Sequence, residues 1–184
     1  MKVPFPVCEG GADGCSLTAG NSVMRVLGID PGTKVTGYGV VEKQENNIVN
    51  IVHGEVRPGK GAPLSRCLVT IYDQLMEVVE QTTPDAVAIE DIFYGKNVKS
   101  LIKQGEARGV AILVGSHKRI PIFEYTPLEI KKAVVGYGRA EKSQIQYMVK
   151  TILHLSELPP PDASDALAVA ICHANFLRSS PKKL

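Results

Sequence analysis

Three short stretches rich in apolar and β-branched residues, separated by turn residues, predict β-strands in the first third of the chain. They cover residues 25–30, 36–43 and 48–56. Asn46-Asn47 is typical of a hairpin turn between the second and the third of these strands. Because strands joined by such short turns pair antiparallel, we expect a three-stranded meander.

The remainder of the chain alternates between helical and strand patterns. Apolar residues at helical spacing begin at Leu64 and end before Pro84, which predicts an amphipathic helix. The elements predicted after it are a strand at 86–90, a basic helix at 98–116, a strand at 121–125, a short helix that ends at Gly136, and helices at 140–155 and 162–177. This order fits an α/β fold whose mixed central sheet, antiparallel in its first three strands and then parallel, is flanked by helices.

The composition supports one folded domain. The chain has 184 residues, of which 44% are hydrophobic, enough for a substantial core. We assign residues 24–177 to the domain and residues 178–184 to a short C-terminal tail. Residues 1–23 are rich in glycine and proline and lack periodicity, so we expect a flexible N-terminal extension.

Cysteine usage and hydropathy bear on where the protein works. The four cysteines show no C-x-x-C spacing, and no signal-peptide pattern precedes the domain. No apolar run approaches the roughly 20 residues that cross a bilayer. We therefore expect a cytoplasmic protein with reduced thiols and no membrane contact.

The formal net charge of +2 hides an uneven distribution. Residues 24–95 contain six basic and ten acidic side chains, whereas residues 96–150 contain eleven basic and four acidic ones. An acidic part beside a basic part suits an enzyme that cuts a polyanion. Basic runs on helices are also common on solvated faces, so the asymmetry alone does not decide for nucleic acid.

Four carboxylates stand at the ends of predicted elements. Asp30 and Glu90 each close an apolar run, and Asp162 and Asp165 lie three residues apart at the start of the last helix. Each has an ordinary explanation, as a turn residue, a solvated strand end or a helix cap. Two strand ends and one helix start can, however, converge on one rim of a sheet, where a divalent cation would compensate their charge.

This pattern predicts metal-dependent phosphoryl chemistry. Two cations about 3.5–4 Å apart can activate a water molecule and stabilise the leaving oxygen of a phosphodiester. Asp91 and Glu124 are weaker candidates, because Asp91 alternates to the opposite sheet face and Glu124 lies inside its strand. The chain has no P-loop, no G-x-S-x-G and no G-x-G-x-x-G motif.

An ordered series of motifs resembles the RuvC family of Holliday-junction resolvases. The series runs Gly28-Ile29-Asp30-Pro31-Gly32-Thr33, Thr36-Gly37-Tyr38-Gly39, Ala88-Ile89-Glu90, Gly105-Glu106-Ala107-Arg108-Gly109-Val110, Ala140-Glu141-Lys142-Ser143-Gln144 and Asp162-Ala163-Ser164-Asp165-Ala166-Leu167-Ala168. The resemblance implies a ribonuclease-H-like fold and a Mg²⁺-dependent endonuclease, with Mn²⁺ as a substitute and two ions per site. It also implies a homodimer that cuts four-way junction DNA and meets a branch-migration helicase complex.

The resemblance also implies roles for individual residues. Asp30, Glu90, Asp162 and Asp165 match the metal-binding catalytic carboxylates. Phe93 matches an aromatic residue that stacks on an unpaired base, with ordinary core packing as its alternative. Basic residues linked to substrate binding or catalysis are matched by Lys131 and Lys142, and phosphate contacts are expected from Lys96, Lys99, Lys103, Arg108, Lys132 and Arg139.

Other functions compete with the junction nuclease. The first motif, residues 28–33, also resembles the phosphate loop of actin-like ATPases and sugar kinases, but the chain lacks the second domain that these enzymes need. A ribonuclease-H-like nuclease that acts on structured RNA, and a non-catalytic junction-binding module, are further alternatives. For the dimer, the basic helix at 98–116, with Gly105 and Gly109, is one candidate interface, and packing of this helix on its own sheet is the other.

Overall fold

The computed structural model describes residues 23–45, 47–91 and 98–176. The elements are β1 (Met24–Asp30), β2 (Thr36–Gln44), β3 (Asn47–Val56), α1 (Leu64–Thr82), β4 (Ala86–Glu90), α2 (Val98–His117), β5 (Ile122–Tyr125), α3 (Pro127–Val135), α4 (Lys142–Ile152) and α5 (Pro161–Phe176). The predicted extension and tail lie almost entirely outside the described residues, and their flexibility stays a prediction.

The five strands form one mixed sheet in the order β3-β2-β1-β4-β5. β1 and β2 pair antiparallel, as do β2 and β3, whereas β4 pairs parallel with both β1 and β5. This confirms the predicted meander and the parallel half that follows it. The carboxyl ends of β1, β4 and β5 therefore lie along one edge of the sheet.

Helices cover both faces of the sheet. α1 and α2 pack on the face to which Leu27 and Ile29 point, and α3, α4 and α5 pack on the face to which Val26 points. Alternation along β1 places Gly28 and Asp30 on the same face as Val26. Asp30 therefore points towards the α5 side at the end of the strand.

α5 lies directly on the sheet and is its most deeply buried helix. A Cβ atom on Gly28 would come within 2.1 Å of the Ala166 carbonyl oxygen, so only glycine permits this approach of helix to strand. The helix is apolar on nearly all sides, as expected for a helix buried between a sheet and other helices.

The helix that carries Lys142 is shorter than its predicted range of 140–155. α4 begins at Lys142 because Glu141 and Gln144 form a capping box, in which the Gln144 side chain accepts a hydrogen bond from the Glu141 backbone N–H at 2.9 Å. The chain leaves the helix at Leu153, and His154 adopts a left-handed conformation with φ 51°. Within the described ranges, none of the helices has the length and apolarity required to cross a bilayer.

Candidate active site

The four predicted carboxylates converge at the sheet edge where β1 and β4 end. Asp30 and Glu90 close these two neighbouring parallel strands, and their side chains share a hydrogen bond. Asp162 and Asp165 lie in the first turns of α5, and the negative charges of both act on Asp30. The structure thus brings together side chains that are up to 135 positions apart in the sequence.

Burial and mutual repulsion dominate the electrostatics of this cluster. Burial, and then the charges of Glu90, Asp165 and Asp162, raise the pKa of Asp30 from 3.8 to about 8. Burial, followed by the charge of Asp165, also raises the pKa of Glu90. The pKa of Asp165 is likewise raised, chiefly by burial. The cluster therefore holds more negative charge than its surroundings compensate.

Lys142 is the counter-ion closest to this charge. Its Nζ lies 2.5 Å from Asp165 Oδ2 at the start of α4. Burial lowers the pKa of Lys142, but the hydrogen bond to Asp165 and the charges of Asp165, Asp162 and Asp30 outweigh it and raise the pKa. Lys131 adds a second positive charge that acts on Glu90. Both lysines line a cavity of about 280 Å³ together with Glu90 and Asp165.

The donor set fits a hard divalent cation. Carboxylate oxygens are the ligands that Mg²⁺ and Mn²⁺ prefer, and the raised pKa of Asp30 reflects negative charge that such a cation would stabilise. In the three described ranges, no three or more aspartate, glutamate, histidine or cysteine side chains already lie at metal-ligand spacing. Metal binding would therefore require some of these side chains to move from their present positions.

The two weaker acidic candidates, Asp91 and Glu124, form salt bridges apart from the four carboxylates. Arg108 on α2 forms salt bridges with Glu124 and, at 3.8 Å, with Asp91. Asp91 and Glu124 therefore face the α2 side, away from the cluster around Asp30, as the strand alternation predicts. Arg108, which the sequence suggests as a phosphate contact, is held by these two carboxylates.

The remaining predicted DNA contacts lie on exposed surfaces or outside the described residues. Lys99, Lys103, Lys132 and Arg139 are exposed, and Lys131 is half-buried beside Glu90. Phe93 and Lys96 fall within residues 92–97, outside the described ranges, so their proposed roles stay predictions.

Two residues that the sequence analysis missed fix the start of α5. Glu55 Oε1 accepts a hydrogen bond from the Asp162 backbone N–H at 3.3 Å, and Arg57 pairs with the other oxygen of the same carboxylate. Gly37 lies between Glu55 and Asp30 in the sheet register. A side chain on Gly37 would occupy the space in which the Asp162 backbone lies. Glycine at position 37, inside a predicted strand, does suggest close backbone approach or a bulge, but not which segment approaches. The sequence signal for Glu55 is only its position near the end of β3.

Comparisons with known proteins agree with this geometry. The family model described as crossover junction endodeoxyribonuclease RuvC matches residues 26–173. A protein of that name from Syntrophotalea carbinolica is 53% identical over 152 residues, which cover 83% of this chain and 94% of the relative. Another, from Geotalea uraniireducens, is 49% identical over 152 residues, covering 83% and 89%.

Solved structures give the same result for the fold. The structure titled T. thermophilus RuvC in complex with Holliday junction substrate has a TM-score of 0.80 and 32% identity, and the match covers 84% of this chain and 95% of that one. A yeast mitochondrial Holliday junction resolvase, at 12% identity and a TM-score of 0.61, shares the fold alone. The predicted ribonuclease-H-like fold and the family resemblance are both confirmed: this chain belongs to the RuvC family of crossover junction endodeoxyribonucleases.

Proposed function

We propose that this chain resolves four-way Holliday junctions in DNA recombination and repair, and that Asp30, Glu90, Asp162 and Asp165 are its catalytic and metal-binding residues. Family membership supports the reaction class. The observation that carries the residue assignment is the convergence of the other three carboxylates on the half-buried Asp30. Asp30 would be a metal ligand common to the whole group, because it ends the central strand between Glu90 and the start of α5.

The family is one of metal-dependent nucleases, and we propose two Mg²⁺ ions per site, with Mn²⁺ as a substitute. Bound ions would activate the attacking water and stabilise the leaving oxygen of the scissile phosphodiester. The four carboxylates would hold them through oxygen ligands, and Glu55 would keep the Asp162 backbone in place. The carboxylates whose pKa is raised in the absence of metal would become fully ionised beside the cations.

Lys142, which pairs with Asp165 in the structure, would contact the phosphate in this proposal. With metal bound, Asp165 would exchange its hydrogen bond with Lys142 for a metal contact, and the ammonium group would then be available to the phosphate. A lysine in this position neutralises charge that develops on the phosphate oxygens during the reaction. Lys131, on the Glu90 side of the same cavity, would bind a neighbouring phosphate.

The surrounding basic residues and Phe93 would hold the junction. Lys96, Lys99 and Arg139 are proposed as phosphate contacts, which position the DNA without reading its sequence. Phe93 would stack on a base opened near the crossover, a contact that stabilises such distorted DNA by about 1–3 kcal/mol. Phe93 follows Glu90 by three positions, which brings the two roles close together in the chain.

Paired cuts on opposed strands require two active sites related by a twofold axis, so we propose a homodimer. Exposed apolar residues on α2 support its interface: Val98, Ile102 and Leu113 are each more than half exposed, and together with Gly105 and Gly109 they follow a helical spacing of three and four. We call these five residues the α2 stripe. A branch-migration helicase complex is the further partner that we propose from the family resemblance.

A junction-cleavage assay tests the proposal. The full chain is incubated with an immobile four-way DNA junction and Mg²⁺, and both strand cuts are mapped. We expect symmetric nicks near the crossover from the wild type and none from Asp30→Asn, which should still bind the junction. Metal-dependent cutting by Asp30→Asn would overturn the assignment of the carboxylates. Faster cutting of a structured RNA by the wild type would favour the competing ribonuclease-H-like function.

A further inference from the structure

A second and larger cleft opens beside the β1–β2 loop, and among the described residues that line it all the charged side chains are basic. It has a volume of about 830 Å³ and is formed by the β1–β2 loop at residues 33–35, the segment from Arg57 to the start of α1, and Lys103 of α2. Its charged residues are Lys34, Arg57, Lys60 and Lys103. Among the described residues that line it there is neither an aspartate nor a glutamate. We refer to it as the basic cleft.

The positive charges of the basic cleft are largely available to a ligand. Lys34, Lys60 and Lys103 form no salt bridge with another residue in the described ranges, in contrast to Lys118 and Lys142, which have carboxylate partners. Arg57 pairs with Glu55, yet its side chain is 62% exposed. A guanidinium group has five N–H donors, so Arg57 keeps donors for a second anion. Four cations around one cavity repel one another unless an anion binds between them.

The basic cleft begins close to the carboxylate cluster. Thr33 lines the cleft and follows Asp30 by three residues, a distance of at most about 11 Å along the chain. Each phosphate of a DNA strand advances about 3.4 Å along the duplex axis. A strand whose scissile phosphate lies at Asp30 would therefore reach the basic cleft within about three phosphates.

The chemistry of the lining favours a nucleic-acid backbone over bases or a small nucleotide. No aromatic side chain is among the described residues that line the basic cleft, so these residues offer no surface for base stacking. The cavity that contains Lys131 and Lys142 adjoins the end of β4, whereas the basic cleft adjoins the β1–β2 loop and the end of β3. The two basic surfaces therefore lie on different sides of the end of β1.

We propose that the basic cleft binds consecutive phosphates of the DNA strand within about four nucleotides of the scissile phosphate, through Lys34, Arg57, Lys60 and Lys103. This inference rests on the proposed junction-cleaving function and adds a DNA contact surface to it. The scissile strand is then held on both sides of the cut, by the basic cleft on one side and by Lys131 on the other, with Lys142 at the scissile phosphate between them.

The salt dependence of junction binding tests the number of contacts. Each phosphate contact contributes about 0.9 to the slope of log binding constant against log salt concentration. In the Asp30→Asn background, which prevents cutting, Lys34→Ala/Lys60→Ala should lower the magnitude of the slope by about 1.8. The matched control, Lys118→Ala/Arg119→Ala, removes two charges at the opposite end of the sheet and should leave the slope unchanged.

The same change of slope has a direct consequence for affinity. Between 50 and 200 mM salt, the ratio of wild-type to double-variant affinity should fall by roughly 12-fold, because a fourfold change in salt acts on a slope difference of about 1.8, the result of two lost contacts. Equal slopes for the cleft variant and the control variant would overturn the proposal. A wild-type protein that neither binds nor cuts a four-way junction would overturn the proposed function instead, so the two failures are distinguishable.

Neutral phosphates locate the contact. Each test junction carries a single methylphosphonate, placed at one of the four phosphate positions on either side of the cut. The affinity of each junction is measured for the Asp30→Asn protein and for the Asp30→Asn/Lys60→Ala protein. At one or two positions on a single side, we expect the neutral phosphate to weaken binding of the protein with Lys60 and to have little further effect after Lys60→Ala. Additive effects at every position would show that Lys60 binds no phosphate near the cut, and would contradict the proposal.

Discussion

The backbones of Gly37 and Asp162 are in direct contact. A Cβ atom on Gly37 would lie only 1.9 Å from the Asp162 carbonyl oxygen, far closer than two such atoms can approach. Gly37 is also the register partner of Asp30 in the antiparallel pair of β1 and β2. The absence of a side chain at this one position in β2 therefore lets the start of α5 lie beside the end of β1.

Gly37→Ala should move the four carboxylates of the proposed active site apart. The added methyl group forces the first turn of α5 away from β2, and shifts of about 1 Å in a catalytic group can lower activity about 100-fold. We expect junction cleavage at saturating metal to fall at least about tenfold, with a loss of about 1–3 kcal/mol in the free energy of unfolding. Single-turnover cleavage and urea unfolding measure the two effects.

Gly59→Ala is the matched control for this substitution. A Cβ atom on Gly59 meets no other atom within 4 Å, so the free energy of unfolding should remain close to that of the wild type. Because Gly59 lies in a segment that lines the basic cleft, this variant controls for stability alone. If Gly37→Ala cleaves junctions at the wild-type rate, the position of the first turn of α5 does not limit the reaction.

Glu55 should act through the backbone of Asp162. Glu55→Ala removes the acceptor for the Asp162 N–H, and loss of such a contact at a helix start lowers stability by about 1 kcal/mol. Because α5 then begins less rigidly, we expect a higher metal concentration for half-maximal cleavage. Glu55→Gln keeps an oxygen acceptor and should restore most of both properties. Titrations of cleavage against Mg²⁺ and thermal unfolding provide the measurements.

An exposed glutamate gives the comparison for Glu55. Glu80 pairs with Lys118 on the surface, and removal of an exposed ion pair changes stability by less than about 1 kcal/mol. Glu80→Ala should leave the metal requirement unchanged. The role assigned to Glu55 is contradicted if Glu55→Ala and Glu80→Ala require the same metal concentration.

The sequence was sufficient for the elements and for selecting the four carboxylates that the structure brings together, since both depend on local pattern. Asp30 and Glu90 are recognisable because each ends an apolar run, and Asp162 and Asp165 because they begin a helix. The contacts of Gly37 and Glu55 with α5 could not be predicted, since they depend on the register of β2 with β3 and on how closely α5 approaches the sheet. The basic cleft was missed for the same reason, as its lysines come from three separate segments.

Stability without metal should fall as the pH rises. The pKa of Asp30 is raised to about 8, so between roughly pH 4 and pH 8 the folded protein binds a proton that the unfolded chain has released. The stabilising contribution of the protonated group is complete below about pH 4 and is lost as the pH rises through about 8. In the presence of a chelator, Asp30→Asn should therefore be more stable than the wild type at pH 8, by about 1 kcal/mol or more, and nearly equal to it at pH 4.

Urea unfolding at several pH values, with and without Mg²⁺, measures this difference. Added Mg²⁺ at pH 8 should stabilise the wild type more than Asp30→Asn, because a ligand that binds only the folded state raises its stability. The exposed aspartate on α1 provides a control of equal charge, and Asp73→Asn should change neither the pH dependence nor the metal effect. A pH-independent difference between the wild type and Asp30→Asn would rule out this role for Asp30.

The α2 stripe should control the oligomeric state. Ile102 is 57% exposed in the single chain, and in the proposed dimer it would be buried against the second copy. Ile102→Glu would place a charge in that apolar contact, where it is costly without a partner. We expect a monomer by light scattering, and junction nicks on one strand at a time in place of paired cuts. Val69→Glu, which changes an equally exposed apolar residue on α1, should remain dimeric; a dimeric Ile102→Glu protein with paired cuts would place the interface elsewhere.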